Sequence, residues 1–196
     1  MPQSMWWIRV GTVAALALGL VFFPMIVGTA SEERTLIASD DCDPTTFNAV
    51  VGPGTCDVTS SGKTTFDTFI AEVIKHQSAP LWRYTPVDPD VPVGNKLSIH
   101  NRGGETHTFT KVAEYGGGFV APLNALSGNP VPRPECAITL RSGDLVPQAP
   151  SATNIFVEAG ETDAGPTAGS SILPVGQEVK FQCCVHPWMR TKVRVP

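Results

Sequence analysis

A chain of 196 residues with 18 Gly, 18 Pro and 16% charged side chains has room for one sizeable core and favours strands and turns over long helices. Its formal charge of −4 offers no basic surface for a phosphate backbone, which excludes nucleic acid as an expected partner.

The first 30 residues stand apart. Arg9 precedes an apolar run over 10–27, and Gly28, Thr29 and Ala30 supply small residues ahead of the polar Ser31-Glu32-Glu33-Arg34. This pattern reads as a secretory signal. An uncleaved N-terminal membrane anchor is the alternative, because about 18 apolar residues can cross a bilayer. Either way the rest of the chain is expected outside the cytoplasm, secreted or periplasmic, with membrane contact only through this segment. Removing it takes away Arg9 and no acid, so the charge of −4 becomes −5. Export favours disulfides, and the five cysteines cannot all pair within one chain: two bridges leave one thiol.

Residues 31–79 read as an N-terminal extension. Its first half, 31–63, is rich in Ser, Thr, Asp, Gly and Pro, and Cys42 and Cys56 bracket a turn-prone Gly-Pro-Gly, as in a stapled loop. Then Phe66, Phe69, Ile70, Val73 and Ile74 recur at helical spacing behind Thr64 or Thr65 as N-cap, which predicts one amphipathic helix over 65–76 packed across an end of the sheet that follows.

After Pro80 the period becomes two. Strands are expected at 81–84 and at 96–101, where Leu97, Ile99 and Asn101 share one face and Lys96, Ser98 and His100 the other. In Glu105 to Thr110, His107 and Phe109 share a face opposite Thr106, Thr108 and Thr110. Residues 114–171 are rich in Gly, Pro and Ala, with short strand candidates at 138–140 and 154–160, and read as an elaborated connection with little regular structure. Two clear strands close the chain, 177–183 and 191–195. The whole predicts an all-β antiparallel sandwich with a short N-terminal helix and a long Gly/Pro-rich insertion.

The penultimate strand runs into Phe181-Gln182-Cys183-Cys184-Val185-His186-Pro187-Trp188-Met189-Arg190. Alternation puts Val179, Phe181 and Cys183 on its apolar face and Glu178, Lys180, Gln182 and Cys184 on its polar face. Cys183, His186 and Met189 then offer a thiolate, an imidazole and a thioether in one turn. With a second imidazole they make the His₂Cys set with weak axial Met that suits mononuclear blue copper.

The stretch from Cys183 to Met189 resembles the copper-binding turn of the cupredoxins, with the amicyanin-type spacing of two residues in each gap. The resemblance implies a further histidine a few residues after an Asn that ends an earlier strand. Here five residues separate Asn101 from His107. It therefore implies a Greek-key cupredoxin-like domain over 80–196, one copper held by His107, Cys183, His186 and Met189, and single-electron transport between redox partners. Asn101, Phe109, Phe181, Pro187 and Trp188 would surround the site, and His186 would reach the surface through an apolar patch. Two departures follow. The 75 residues between His107 and Cys183 exceed a minimal cupredoxin, leaving 114–171 as a candidate partner surface. Cys184 is unusual at its position, and a vicinal Cys183–Cys184 bridge would destroy the site. A Cys136–Cys184 bridge beside Cys42–Cys56 would instead tie the insertion to the ligand strand and leave Cys183 free.

Other chemistry is absent from the sequence. Gly62-Lys63-Thr64-Thr65 lacks the first glycine of a phosphate loop, Asp57 standing there. Neither G-x-S-x-G nor H-E-x-x-H occurs, nor the H-x-H and H-C-H of trinuclear copper centres, nor the C-x-x-x-C of binuclear ones. No enzyme is expected. His76, at a helix end, and His100, facing solvent, read as structural. The alternatives to electron transport are a copper carrier or buffer on the same ligands, and a metal-free stapled sandwich that binds another protein through its insertion.

Overall fold

Short apolar–polar alternations govern where the backbone extends. The computed structural model describes residues 32–196; the signal or anchor expected at 1–30 lies outside them. In chain order the elements are β1 (Glu33–Ser39), α1 (Pro44–Val50), α2 (Phe66–His76), β2 (Arg83–Thr85), β3 (Lys96–Asn101), β4 (His107–Lys111), α3 (Ala121–Leu126), β5 (Ala137–Thr139), β6 (Leu145–Pro147), β7 (Asn154–Val157), β8 (Thr162–Thr167), β9 (Glu178–Gln182) and β10 (Arg190–Arg194). Two four-stranded sheets, ordered β2-β1-β3-β8 and β10-β9-β4-β7, enclose one core, and β5 and β6 form a separate hairpin. This is a β-sandwich, the architecture the alternation predicts. Among the described residues no helix is long and apolar enough to cross a membrane.

The core takes its mass from the predicted alternation. Leu97, Ile99 and Asn101 are buried on β3, and Phe109 and Phe181 stack at 4.1 Å between β4 and β9, a pair worth about 0.5–1.5 kcal/mol beyond its area. The expected helix also forms. Thr65 caps α2 by accepting from Thr68 N at 3.3 Å, and Phe69 and Val73 face inward.

Four expectations need correction. Residues 31–63 are not simply a stapled loop: Leu36 and Ala38 are fully buried on β1, and Phe47 on α1. The sandwich is not wholly antiparallel, since β1 runs parallel to β3 with Leu36 opposite Ile99 and Ala38 opposite Asn101. The strand expected at 81–84 begins at Arg83, because Trp82 N bonds Ala79 O at 3.0 Å in a turn. The segment 114–171 is structured, containing α3 and four strands, of which β7 pairs β4 and β8 pairs β3.

The same segment explains why the polar face of β9 is buried at its C-terminal end, although Glu178 at the other end is exposed. Gln182 is buried, its side chain accepting from Gly116 N at 3.0 Å and donating to Gly116 O at 3.1 Å. Cys184 points away from Cys183, as the alternation requires, but into a small cluster with Val112 and Cys136 that Tyr115 and Phe119 cover. Gly118 lies so close to this strand that a Cβ would stand 1.7 Å from Cys184 O, so the covering segment needs glycine there.

Both expected disulfides are present, Cys42–Cys56 and Cys136–Cys184, and Cys183 is the free cysteine, buried. Closing the 48-residue span of the second bridge restricts the unfolded chain by about 4 kcal/mol. Replacing both Cys136 and Cys184 by Ser is expected to lower the unfolding free energy by about that amount. Urea titration of the two proteins checks it.

Candidate metal centre

β4 and the turn after β9 bring three donors together at one end of the sandwich. His107 opens β4, and Thr110 of the same strand lies opposite Gln182, which brings the ends of both strands to one place. The turn is fixed by its own backbone: Cys183 N donates to Met189 O at 3.0 Å and Met189 N to His186 O at 2.9 Å. As a result Cys183 Sγ lies 3.8 Å from His107 Nδ1 and 3.8 Å from His186 Nδ1. The three donor atoms fall within 4.8 Å of one another, and all three residues are buried.

The spacing fits an ion between them. A trigonal centre with a metal–sulfur bond of about 2.3 Å and metal–nitrogen bonds of about 2.0–2.1 Å holds its donors about 3.8 Å apart. Both imidazoles present Nδ1 to the centre and turn Nε2 outward, which is the orientation ligation by Nδ1 needs. Thr108 N donates to Cys183 Sγ at 3.4 Å, a contact that suits a thiolate. Met189 is buried, 1% exposed, and its backbone closes the turn.

The metal-free site is already charged. Burial alone would raise the Cys183 thiol, but the hydrogen bonds and charges of His107 and His186 outweigh it and hold the thiol well below its ordinary value. Burial pulls the imidazoles down; against it, Asp40 and Cys183 lift His107 to about 9, and Glu105 and Cys183 lift His186 to about 10. An incoming cation would displace those protons, so its affinity falls as the solution becomes more acidic.

Sequence reasoning missed the two carboxylates. Asp40 Oδ2 accepts from His107 Nε2 at 2.9 Å with both side chains wholly buried. His186 Nε2 lies 3.4 Å from Glu105 Oε2, an ion-pair distance without hydrogen-bond alignment, and has no hydrogen-bond partner. The available signal was the parallel pairing of β1: with Ala38 opposite Asn101, Asp40 must arrive beside the loop that leads to His107.

The remaining expected residues surround the centre in different ways. Asn101 shapes the His107 loop, donating to Glu105 O at 2.7 Å and accepting from Gly103 N at 2.8 Å. Phe109 and Phe181 are core. Trp188 is half-buried with its ring 5.5 Å from that of His186. His76 is exposed, and His100 bonds Thr162 Oγ1 at 2.8 Å; neither joins the cluster. An apolar cavity lined by Phe66, Ile70, Val120, Leu123 and Val185 lies beside His186, but the imidazole itself does not reach the surface. His186 is 1% exposed because Phe69 of the N-terminal extension and Trp82, just after it, fold over it, 6.2 and 6.4 Å from its ring. Pro187 is buried too, so it shapes the turn and presents no docking face.

Among solved structures the chain is similar to a purple cupredoxin from Nitrosopumilus maritimus, with 15% identity and a TM-score of 0.35 over 83% of this chain and 98% of that one. No family model matches the chain, and no curated protein matches it.

Proposed function

We propose that the protein is an exported electron carrier that binds one copper ion through His107 Nδ1, Cys183 Sγ and His186 Nδ1, with Met189 as a weak fourth ligand. The observation that carries this reading is a single buried thiol, spared by both disulfides, with two imidazole Nδ1 atoms each 3.8 Å away. Soft sulfur suits Cu(I) and imidazole suits both oxidation states, so the ion would supply a one-electron couple with little ligand movement.

The chain's own residues support that use. Strand β4 and the closed turn hold the donors in place before any ion arrives, and Phe69, Trp82 and Trp188 exclude water from the His186 side. The half-buried Trp188 is the ring through which His186 would communicate with a redox partner. Burial of every donor favours electron transfer over copper carriage, since a carrier must hand its ion to a competing ligand, and these side chains are 0–1% exposed. With every donor buried, no open position faces a substrate, and we read the protein as a carrier and not an enzyme. Two disulfides fit the oxidising compartment that the first 30 residues imply.

The test is direct. Addition of Cu(II) to metal-free protein is expected to give an intense visible band that saturates at one copper per chain and bleaches reversibly on reduction. A colourless product would refute the reading. Loss of the colour within seconds to a competing chelator would favour carriage instead.

A further inference from the structure

Two buried carboxylates stand behind the two imidazoles, and neither belongs to the ligand motifs. Asp40 follows β1, in the N-terminal extension, and the fold has built a holder for it. Its Oδ1 accepts from Cys42 N at 3.1 Å and Gly104 N at 2.9 Å, and its Oδ2 accepts from Glu105 N at 3.0 Å as well as from His107 Nε2 at 2.9 Å. Gly103 allows the approach: a Cβ there would lie 1.8 Å from Asp40 Oδ2. Glu105 sits in the same loop with its side chain 9% exposed, and its Oε2 accepts from Trp82 Nε1 at 2.5 Å while facing His186 Nε2 at 3.4 Å. Burying two carboxylates costs several kcal/mol each unless something of opposite charge repays it. Their placement on the outer nitrogen of both imidazoles identifies the cation site as what they serve.

We propose that Asp40 and Glu105 are positioning residues that aim His107 and His186 and bias the bound ion toward its oxidised state, making the protein a low-potential electron donor. The inference rests on the copper reading above. Its physical basis is a charge count. One thiolate and two carboxylates contribute −3, so the buried site totals −1 with Cu(II) and −2 with Cu(I). Reduction therefore adds an electron to a buried region that is already negative, and the field of each carboxylate opposes it. A full charge acting across an imidazole at roughly 6 Å, with an effective dielectric near 20, shifts the balance between the two oxidation states roughly a hundredfold. The Asp40 bond also holds Nε2–H on His107 and so leaves the Nδ1 lone pair for the ion. Glu105 acts on His186 by charge alone.

The experiment compares reduction potentials of the copper forms of wild type, Asp40→Asn and Glu105→Gln. Asp40→Asn is expected to favour Cu(I) roughly a hundredfold more than wild type, a rise of about 120 mV at about 59 mV per tenfold. Glu105→Gln is expected to move the same way by a smaller amount, since water reaches part of that side chain. A purely structural role would lower stability and leave the potential in place. Potentials within about twofold of the wild-type ratio in both variants would overturn the proposal. If Asp40→Asn fails to fold, Glu105→Gln decides alone, because its amide oxygen can still accept from Trp82. A wild-type protein that takes up no copper would refute the proposed function itself and the carboxylate role with it, an outcome already visible before any variant is made.

Discussion

Cys183→Ser is expected to yield a folded protein that has lost the visible copper band completely. The intense colour of such a centre comes from charge transfer out of a sulfur ligand, and serine offers only a hard oxygen. Its hydroxyl also holds its proton far more tightly than the Cys183 thiol, whose pKa the two imidazoles lower. Copper affinity should fall by more than the 10- to 100-fold that loss of an outer partner causes. The fold should survive because Cys183 takes part in neither disulfide and serine is slightly smaller than cysteine. Met189→Gln serves as the contrast: it should keep the sulfur-derived colour and lower the reduction potential, since an oxygen donor favours Cu(II). A visible spectrum and a copper assay on each variant suffice. Retention of the band in Cys183→Ser would mean that sulfur is not a ligand.

The cluster of His107, Cys183 and His186 was legible because each part of it is local. Cys183, His186 and Met189 lie within one turn, where spacing carries their geometry, and the resemblance pointed to His107, in one loop with Asn101. Alternation along β9 likewise separated Cys183 from Cys184 correctly. What alternation could not report is what covers a polar face, and Gln182 and Cys184 are buried because residues 115–119 bond and pack against them. β1 escaped notice because only Leu36 and Ala38 mark its inner face, and α1 because Phe47 is its single buried residue. Asp40 was invisible for a deeper reason. Its partner His107 is 67 residues away, and only the parallel pairing of β1 with β3 joins them. The extension that looked like an appendage thus supplies a carboxylate to one imidazole and a cover to the other.

Trp82→Ala is expected to be the most destabilising single change among the residues that cover His186, at about 3–5 kcal/mol, a large share of the roughly 5–15 kcal/mol that holds a domain of this kind. Trp82 is 1% exposed. It stacks on Phe47 at 6.0 Å, meets Phe69 at 4.6 Å, and lies 6.4 Å from His186. Truncation opens a cavity between α1, α2 and the turn after β9 and removes the Nε1 donor from the buried Glu105 carboxylate. Trp82→Phe separates the two effects. It keeps most of the ring and loses only the donor, so it should cost roughly 1–3 kcal/mol, the penalty for leaving a buried acceptor unpaired. Urea unfolding of the metal-free proteins gives both numbers. In the copper forms, Trp82→Ala should also admit water to His186, seen as faster loss of the ion to a chelator than in Trp82→Phe. A loss of less than about 1 kcal/mol in Trp82→Ala would show that Trp82 does not seal the site.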